Sequence, residues 1–275
     1  GSNEFVSLRY KIEAQDLQHL GYGTSAAKTL VLSFYVRSNL TGTYGVPCLQ
    51  RDNSSKIYAQ TYTINSADTW ERKTISIPAD TSGVINDDNG SGFEIYFPLV
   101  LGSSYKGGAV STAWETYSNA KFGSQHGVNI GSSTSNEWYL TGFQLEVGST
   151  ATDFEHRSFS EELQLCKRYF QKMTRTSQEV FCTGYYESDT IGRHALQLPV
   201  TMRTDPTITF SAASTFTNIY TGSLTSGTAI GIINTSPESV FTSLIVGSGG
   251  GTDGQACLLG AANSQTATIS IDAEL

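Results

Sequence analysis

Charge, proline, methionine and cysteine are all scarce in this chain. Only 15% of its 275 residues are charged, and it holds 6 Pro, 2 Met and 4 Cys. Cys48, Cys166, Cys182 and Cys257 lie far apart and none belongs to a CxxC pair. That spacing suggests neither a zinc site nor a dense disulfide framework, and free, buried thiols are expected. No apolar run approaches the roughly 18 residues that a membrane-crossing helix needs, and the first residues lack a basic and then apolar signal pattern. Membrane insertion is therefore not expected. His19, His126, His156 and His194 stand apart from one another, with no HExxH arrangement and no nucleophile elbow beside them.

Basic residues are the minority charge, 17 against 25 acidic, for a formal net charge of −8. A phosphate backbone meets net repulsion on such a chain unless a basic patch offsets it. The one basic cluster, Lys167-Arg168 with Lys172 and Arg175, falls toward the end of an expected helix, where it suits the helix dipole. Nucleic acid is not an expected partner.

Hydrophobic residues at 38%, aromatics at 11% and 27 Gly describe a chain with material for real cores and many tight turns. Leu30, Leu32, Phe34 and Val36 alternate with Val31, Ser33, Tyr35 and Arg37, the period of a half-buried antiparallel strand. Similar runs lie at Val6-Ile12, Tyr44-Gln50, Ile57-Ile64, Arg72-Ile77, Phe93-Leu101 and Trp138-Val147, separated by turn-forming stretches. No ten-residue helical stripe interrupts them, which argues against a parallel βαβ sheet. Gly1-Ser2 reads as a cloning remnant just ahead of the first strand, so the chain is expected to be a fragment of a longer protein.

Phe159, Leu163, Cys166, Phe170 and Met173 instead follow a heptad seam. Ser158 with Glu161 fits a capping box, so the spacing predicts a helix from Phe159 to Met173. A helix this short must bury its seam, against the adjacent sandwich or against copies of itself. Strand patterns resume at Val180-Tyr186, His194-Val200, Thr207-Ser211, Ala229-Ile233, Ser239-Val246, Ala256-Leu259 and Thr266-Ile271, and Gly247-Gly254 reads as a mobile surface connection. The expected fold class is thus all-β: two β-sandwich, jelly-roll-like domains at 1–157 and 174–275, joined by one short α-helix at 158–173.

The junction Gly142-Phe-Gln-Leu-Glu-Val-Gly148, Ala151-Thr-Asp-Phe-Glu-His-Arg157 and Glu161-Glu-Leu-Gln-Leu-Cys-Lys-Arg-Tyr-Phe170 resembles one common in tail-fibre proteins of bacteriophages and marine viruses. Tyr10-Lys-Ile-Glu-Ala-Gln-Asp-Leu-Gln18, Leu32-Ser-Phe-Tyr-Val-Arg-Ser38 and Trp70-Glu-Arg-Lys-Thr-Ile75 look like strands of that family's jelly roll, itself similar to carbohydrate-binding modules. Leu198-Pro-Val-Thr-Met-Arg203 with Pro206, and Ile271-Asp-Ala-Glu-Leu275, are similar to its terminal domain. The resemblance implies a virion structural protein, a tail-fibre or receptor-binding module that is trimeric, sits among other virion tail proteins, faces the host surface and attaches to host glycans.

Sugar recognition uses flat aromatic faces. Trp114 and Tyr117, with Tyr105 before them, lie in the weakly periodic segment Gly102-Gly127 and are the first glycan-binding candidates. Trp70 and Trp138 border clear strands, where core packing is expected. Asp87, Asn89 and Ser91 place hard oxygens at alternate positions of a turn. They form a candidate calcium site, strengthened slightly by the resemblance, although a plain Asn/Asp turn is favoured and no other cofactor is implied. Hydrolysis needs two facing carboxylates; the acidic residues are scattered and no catalytic residue is assigned. A ligand-free spacer or decoration protein is the first rival to glycan attachment, and a polysaccharide-degrading enzyme fragment the second.

Overall fold

The period-two alternation becomes paired strands in a computed structural model that describes residues 1–52, 55–247 and 251–275. Strands account for 49% of the chain and helices for 11%, so the fold is all-β. Two compact units result, one of residues 1–156 with Leu275 and one of residues 157–274.

The first unit contains β1 (Phe5–Glu13), β2 (Leu30–Ser38), β3 (Gly42–Gln50), β4 (Lys56–Ile64), β5 (Glu71–Ile77), β6 (Ser91–Leu101), β7 (Glu115–Thr116), the short helix α1 (Asn119–Gly123) and β8 (Trp138–Val147). They form a five-stranded sheet in the order β1-β6-β3-β4-β7 and a three-stranded sheet in the order β5-β2-β8. Apolar side chains of the two sheets share one core. Its centre is aromatic: Phe34 of β2 meets Tyr62 of β4 and Phe97 of β6 edge to face, each at 5.1 Å between ring centroids. Burying each such side chain contributes about 1.5–3 kcal/mol.

The inner strands β3 and β6 of the five-stranded sheet are buried on both faces, whereas the edge strand β1 stays largely exposed. Phe93, Ile95 and Phe97 of β6 point into the shared core. Tyr96, with Leu49, Ile57, Ala59, Leu101 and Phe122, forms a second cluster on the opposite face. Residues of the 102–127 segment cover that face. The cover sits close because glycine permits it: a Cβ on Gly123 would collide with the Tyr105 carbonyl oxygen and lie 2.6 Å from Leu101 Cδ1. His126, 3% exposed, fastens the cover to the sheet, its Nδ1 accepting the Gly45 backbone N–H at 3.1 Å.

The second unit opens with α2 (Phe159–Lys167), followed by β9 (Phe170–Thr176), β10 (Val180–Ser188), β11 (Ile191–Gln197), β12 (Thr207–Phe210), β13 (Phe216–Tyr220), β14 (Ser223–Ser236), β15 (Ser239–Val246), β16 (Ala256–Ala261) and β17 (Thr266–Asp272). The order β10-β11-β15-β14-β13-β16 closes on itself through the pairing of β16 with β10, and β12-β17-β9 forms a separate three-stranded sheet. Phe216, Leu244, Leu259, Ile269 and Ile271 are fully buried in this unit's core.

The helix expected to reach Met173 ends at Lys167. Its start is as predicted, with Ser158 and Glu161 forming the capping box. Phe170 and Met173 belong instead to β9, which pairs along seven residues of β17. Another helical turn would bond only itself, whereas extending β9 satisfies the backbone edge of β17 and lets Met173 pack on the unit's core. Two further expectations need correction. Trp70 is 46% exposed rather than packed in the core, because it precedes β5 and lies against Tyr139, itself exposed. Cys166 is an exposed thiol, not a buried one, whereas Cys48 and Cys257 are buried. The Gly-rich connection expected at Gly247-Gly254 rests largely on residues 248–250, which lie outside the described residues.

Burial holds His126 and His194 well below the ordinary imidazole value of 6.5, each at about 4, with the Lys106 charge adding to the effect at His126. The folded state therefore keeps both neutral where an unfolded chain takes up protons. Stability should be full above pH 6.5 and fall as the pH drops from 6.5 toward 4, by on the order of 3 kcal/mol per histidine. Urea unfolding at pH 7 and pH 5 should show the loss. His126→Asn, which keeps an acceptor but cannot titrate, should reduce it.

Candidate functional site

On the outer face of the five-stranded sheet, between β1, β6, the end of β3 and the 102–127 cover, lies a cleft of about 520 Å³. Its floor is set by strand register. Arg9 of β1 stands directly opposite Tyr96 of β6, and Glu94 lies two residues before Tyr96 on the same face. Arg51 follows the end of β3, where Leu49 pairs with Glu94. Three strands thus deliver two cations, one carboxylate and one phenol to one place.

Glu94 is the buried centre, its side chain 4% exposed. Its Oε2 accepts Arg51 Nε at 2.7 Å and the Tyr96 hydroxyl at 2.5 Å, and its Oε1 accepts the Ser91 hydroxyl at 3.2 Å. The same Tyr96 hydroxyl accepts from Arg51 Nη2 at 2.8 Å and from Arg9 Nη1 at 3.4 Å. Burial alone raises a carboxyl pKa, but here the bonds from Tyr96 and Arg51 and the charges of Arg51 and Arg9 prevail and hold Glu94 below the ordinary glutamate value. Burial and the bond to Glu94 push the Tyr96 phenol up, so it remains a donor at neutral pH. The result is an ionised carboxylate locked beneath two guanidinium groups.

Aromatic rings form the wall. Phe5 packs edge-on to Phe122 at 5.2 Å and tilted against Tyr105 at 5.6 Å, and Phe122 meets Tyr96 at 5.0 Å. Tyr105 and Tyr117, both half-buried, join the lining, and the Tyr117 hydroxyl donates to Asn119 Oδ1 at 3.0 Å. Two of the three aromatics expected to bind sugar are therefore together in the cleft. Trp114 is not with them. It packs on the inter-sheet core, meeting Tyr22, Tyr58 and Phe93 at 5.7–6.3 Å, while its indole N–H donates to the Pro78 carbonyl at 2.8 Å.

Asp87, Asn89 and Ser91 sit in and after the turn before β6. The Ser91 hydroxyl is engaged by Glu94, and Asp88 Oδ1 accepts the Gly90 N–H at 2.8 Å, the local bond of an Asx turn. Among the described residues, no group of three or more His, Cys, Asp or Glu side chains could hold a metal ion.

Sequence reasoning did not single out Arg9, Arg51, Glu94 or Tyr96. One signal was available: in Phe93-Glu-Ile-Tyr-Phe97, Glu94 and Tyr96 form the second face of a strand whose first face is wholly apolar. A glutamate there demands a buried partner.

What the fold and cleft define is an all-β protein whose sandwich unit carries an aromatic-walled, guanidinium-floored cleft. No family model matches the chain, and no curated protein does. Among solved structures, it is similar to the native recombinant discoidin II of Dictyostelium discoideum at 7% identity, with 90% of this chain and 75% of that one covered and a TM-score of 0.19. The wild-type discoidin II from the same organism is similar at 9% identity, over 89% and 70% of the two chains, with a TM-score of 0.17. Likeness at those TM-scores carries no argument about ligand or mechanism.

The Tyr96 hydroxyl bridges all three charges of the floor, so Tyr96→Phe should leave the fold intact but cost about 1–3 kcal/mol. Urea unfolding should read that loss directly, and an unchanged midpoint would show that the bridge adds nothing.

Proposed function

We propose that this chain is a non-catalytic glycan-binding module and that the cleft between β1, β6 and the 102–127 cover is its binding site. The observation that carries this reading is the pairing of half-buried tyrosine rings with fixed guanidinium donors in one concavity. Phenol rings offer apolar faces to a pyranose ring, and Arg forks donate to its hydroxyls. The donors are held by Glu94 and Tyr96 before any ligand arrives, so little ordering is needed on binding. The described cleft lining contains no carboxylate, and Glu94 beneath it is already neutralised. That arrangement favours binding over hydrolysis, which needs two carboxyls flanking a bond.

The finer reading follows the tail-fibre resemblance: a virion protein, displayed at the tail, that attaches to glycans of the host surface. Trimeric assembly belongs to the same proposal. On α2, Phe159 is 82% exposed and Leu163 and Leu165 are also exposed, and no described residue of the helix is buried. The helical part of the seam, Phe159, Leu163 and Cys166, therefore stays exposed, while Met173 at its far end packs on the unit's core from β9. Ile232, Ile233 and Ile245 on β14 and β15 are exposed as well. Contact among three copies is the proposed use of these apolar residues.

Two measurements test the proposal. On a glycan array with the intact chain, followed by calorimetry with any hit, Tyr105→Ala and Tyr117→Ala should each weaken binding by about 3- to 10-fold, with a smaller loss of stability than Trp114→Ala because each ring packs only on the edge of the Tyr96 cluster. Trp114→Ala should instead destabilise the fold by about 3 kcal/mol or more, as a core truncation. Binding that ignores both tyrosines would move the site elsewhere. Separately, light scattering should report about three chain masses, and Phe159→Asp with Leu163→Asp should lower the mass. A monodisperse monomer of the unsubstituted chain at micromolar concentration would sink the trimer.

A further inference from the structure

We infer that the cleft selects carboxylated sugars, uronic or sialic acids, over neutral ones. The inference rests on the cleft being the glycan site and adds the ligand's charge class. Its starting point is a charge imbalance. Arg9 and Arg51 bring two positive charges to the floor, and Glu94 brings one negative charge. The named lining residues Phe5, Ser7, Tyr96, Tyr105, Tyr117 and Phe122 add none.

The two cations are not equally engaged. Arg51 commits Nε to Glu94 at 2.7 Å and Nη2 to Tyr96 at 2.8 Å, so it neutralises Glu94 directly. Arg9 comes only within 4.0 Å of Glu94 Oε1, bonds the Tyr96 hydroxyl at 3.4 Å, and leaves 43% of its side chain exposed. Its guanidinium carbon stands 5.7 Å from the centre of the Tyr96 ring. Tyr96 thus fixes the position of Arg9 without removing its charge. A guanidinium fork held this way matches the planar geometry of a carboxylate, which accepts two parallel N–H bonds.

The imbalance is local. The chain carries a net charge of −8, so a surplus cation in a cleft runs against the general field of the molecule. Neutral sugar hydroxyls would bond to Arg9 but leave its charge uncompensated. A carboxylate on the ring completes the floor as two guanidinium groups facing two carboxylates, one from the protein and one from the ligand. Uronic and sialic acids share this chemistry.

Calorimetry on the full chain at low ionic strength distinguishes these cases, using trigalacturonate against galactotriose and sialyllactose against lactose. The acidic member of at least one pair should bind about tenfold or more tightly. That gap should close in Arg9→Gln, persist in part in Arg9→Lys, and shrink in about 0.5 M NaCl. Thermal unfolding should change little in Arg9→Lys, which keeps the charge over Glu94, and fall modestly in Arg9→Gln, because Arg51 makes the closer bond to that carboxylate. Equal affinity within both pairs, with Tyr117→Ala weakening all four sugars, would overturn the acidic selectivity and leave the glycan reading standing. Failure of every sugar to bind, or binding indifferent to Tyr105 and Tyr117, would overturn both.

Discussion

Burial of β6 on both of its faces is the constraint on which the first unit depends. Phe93, Ile95 and Phe97 supply the five-stranded sheet's share of the aromatic core, and that leaves Glu94 and Tyr96 facing the other way under the 102–127 segment. A carboxylate in that position cannot remain alone, because desolvating an unpaired charge costs several kcal/mol. Arg51 at the end of β3 and Arg9 on β1 meet that need from either side of β6. The cleft floor is thus a consequence of packing: the same alternation that builds the core forces the charged groups together.

The cover has a related logic. A sheet face carrying Leu49, Ile57, Ala59 and Leu101 must be shielded from water, and the chain does so with an irregular segment rather than another sheet. Irregular backbone over an apolar face needs fastening points for its polar groups. Those points are specific: Ser111 N bonds to the Ala59 carbonyl, Gly127 N to the Thr43 carbonyl, and His126 accepts from Gly45. Tyr105, ahead of the Ser111 bond, and Tyr117, between Ser111 and His126, line the cleft together with residues of β1 and β6.

Much of this was legible in the sequence, for reasons that differ from element to element. Period-two runs such as Leu30-Val36 announce themselves because one face is apolar and the pleat leaves no other arrangement. The capping box at Ser158 and Glu161 is equally local. The end of α2 was not legible, because Phe170 and Met173 satisfy a heptad seam and a strand alike, and the deciding partner, β17, lies almost a hundred residues later. The closure of six strands in the second unit is hidden for the same reason. In the 102–127 segment, composition marked Trp114, Tyr105 and Tyr117 as one group. Only tertiary contacts separate the tryptophan bonded to Pro78 from the two tyrosines at the cleft.

Arg9 and Arg51 illustrate why a whole-chain charge is a poor guide to a site. At −8 the chain disfavours polyanions such as nucleic acid over most of its surface. A polyanion must meet that whole field, whereas the acidic sugar proposed as ligand would meet only the cleft. Inside a concavity with low-dielectric aromatic walls, two fixed guanidinium groups act at short range and are screened less than exposed charges. An acidic protein can therefore reject extended phosphate backbones and still hold a small acidic ligand. The distinction depends on Glu94 neutralising one arginine and not both.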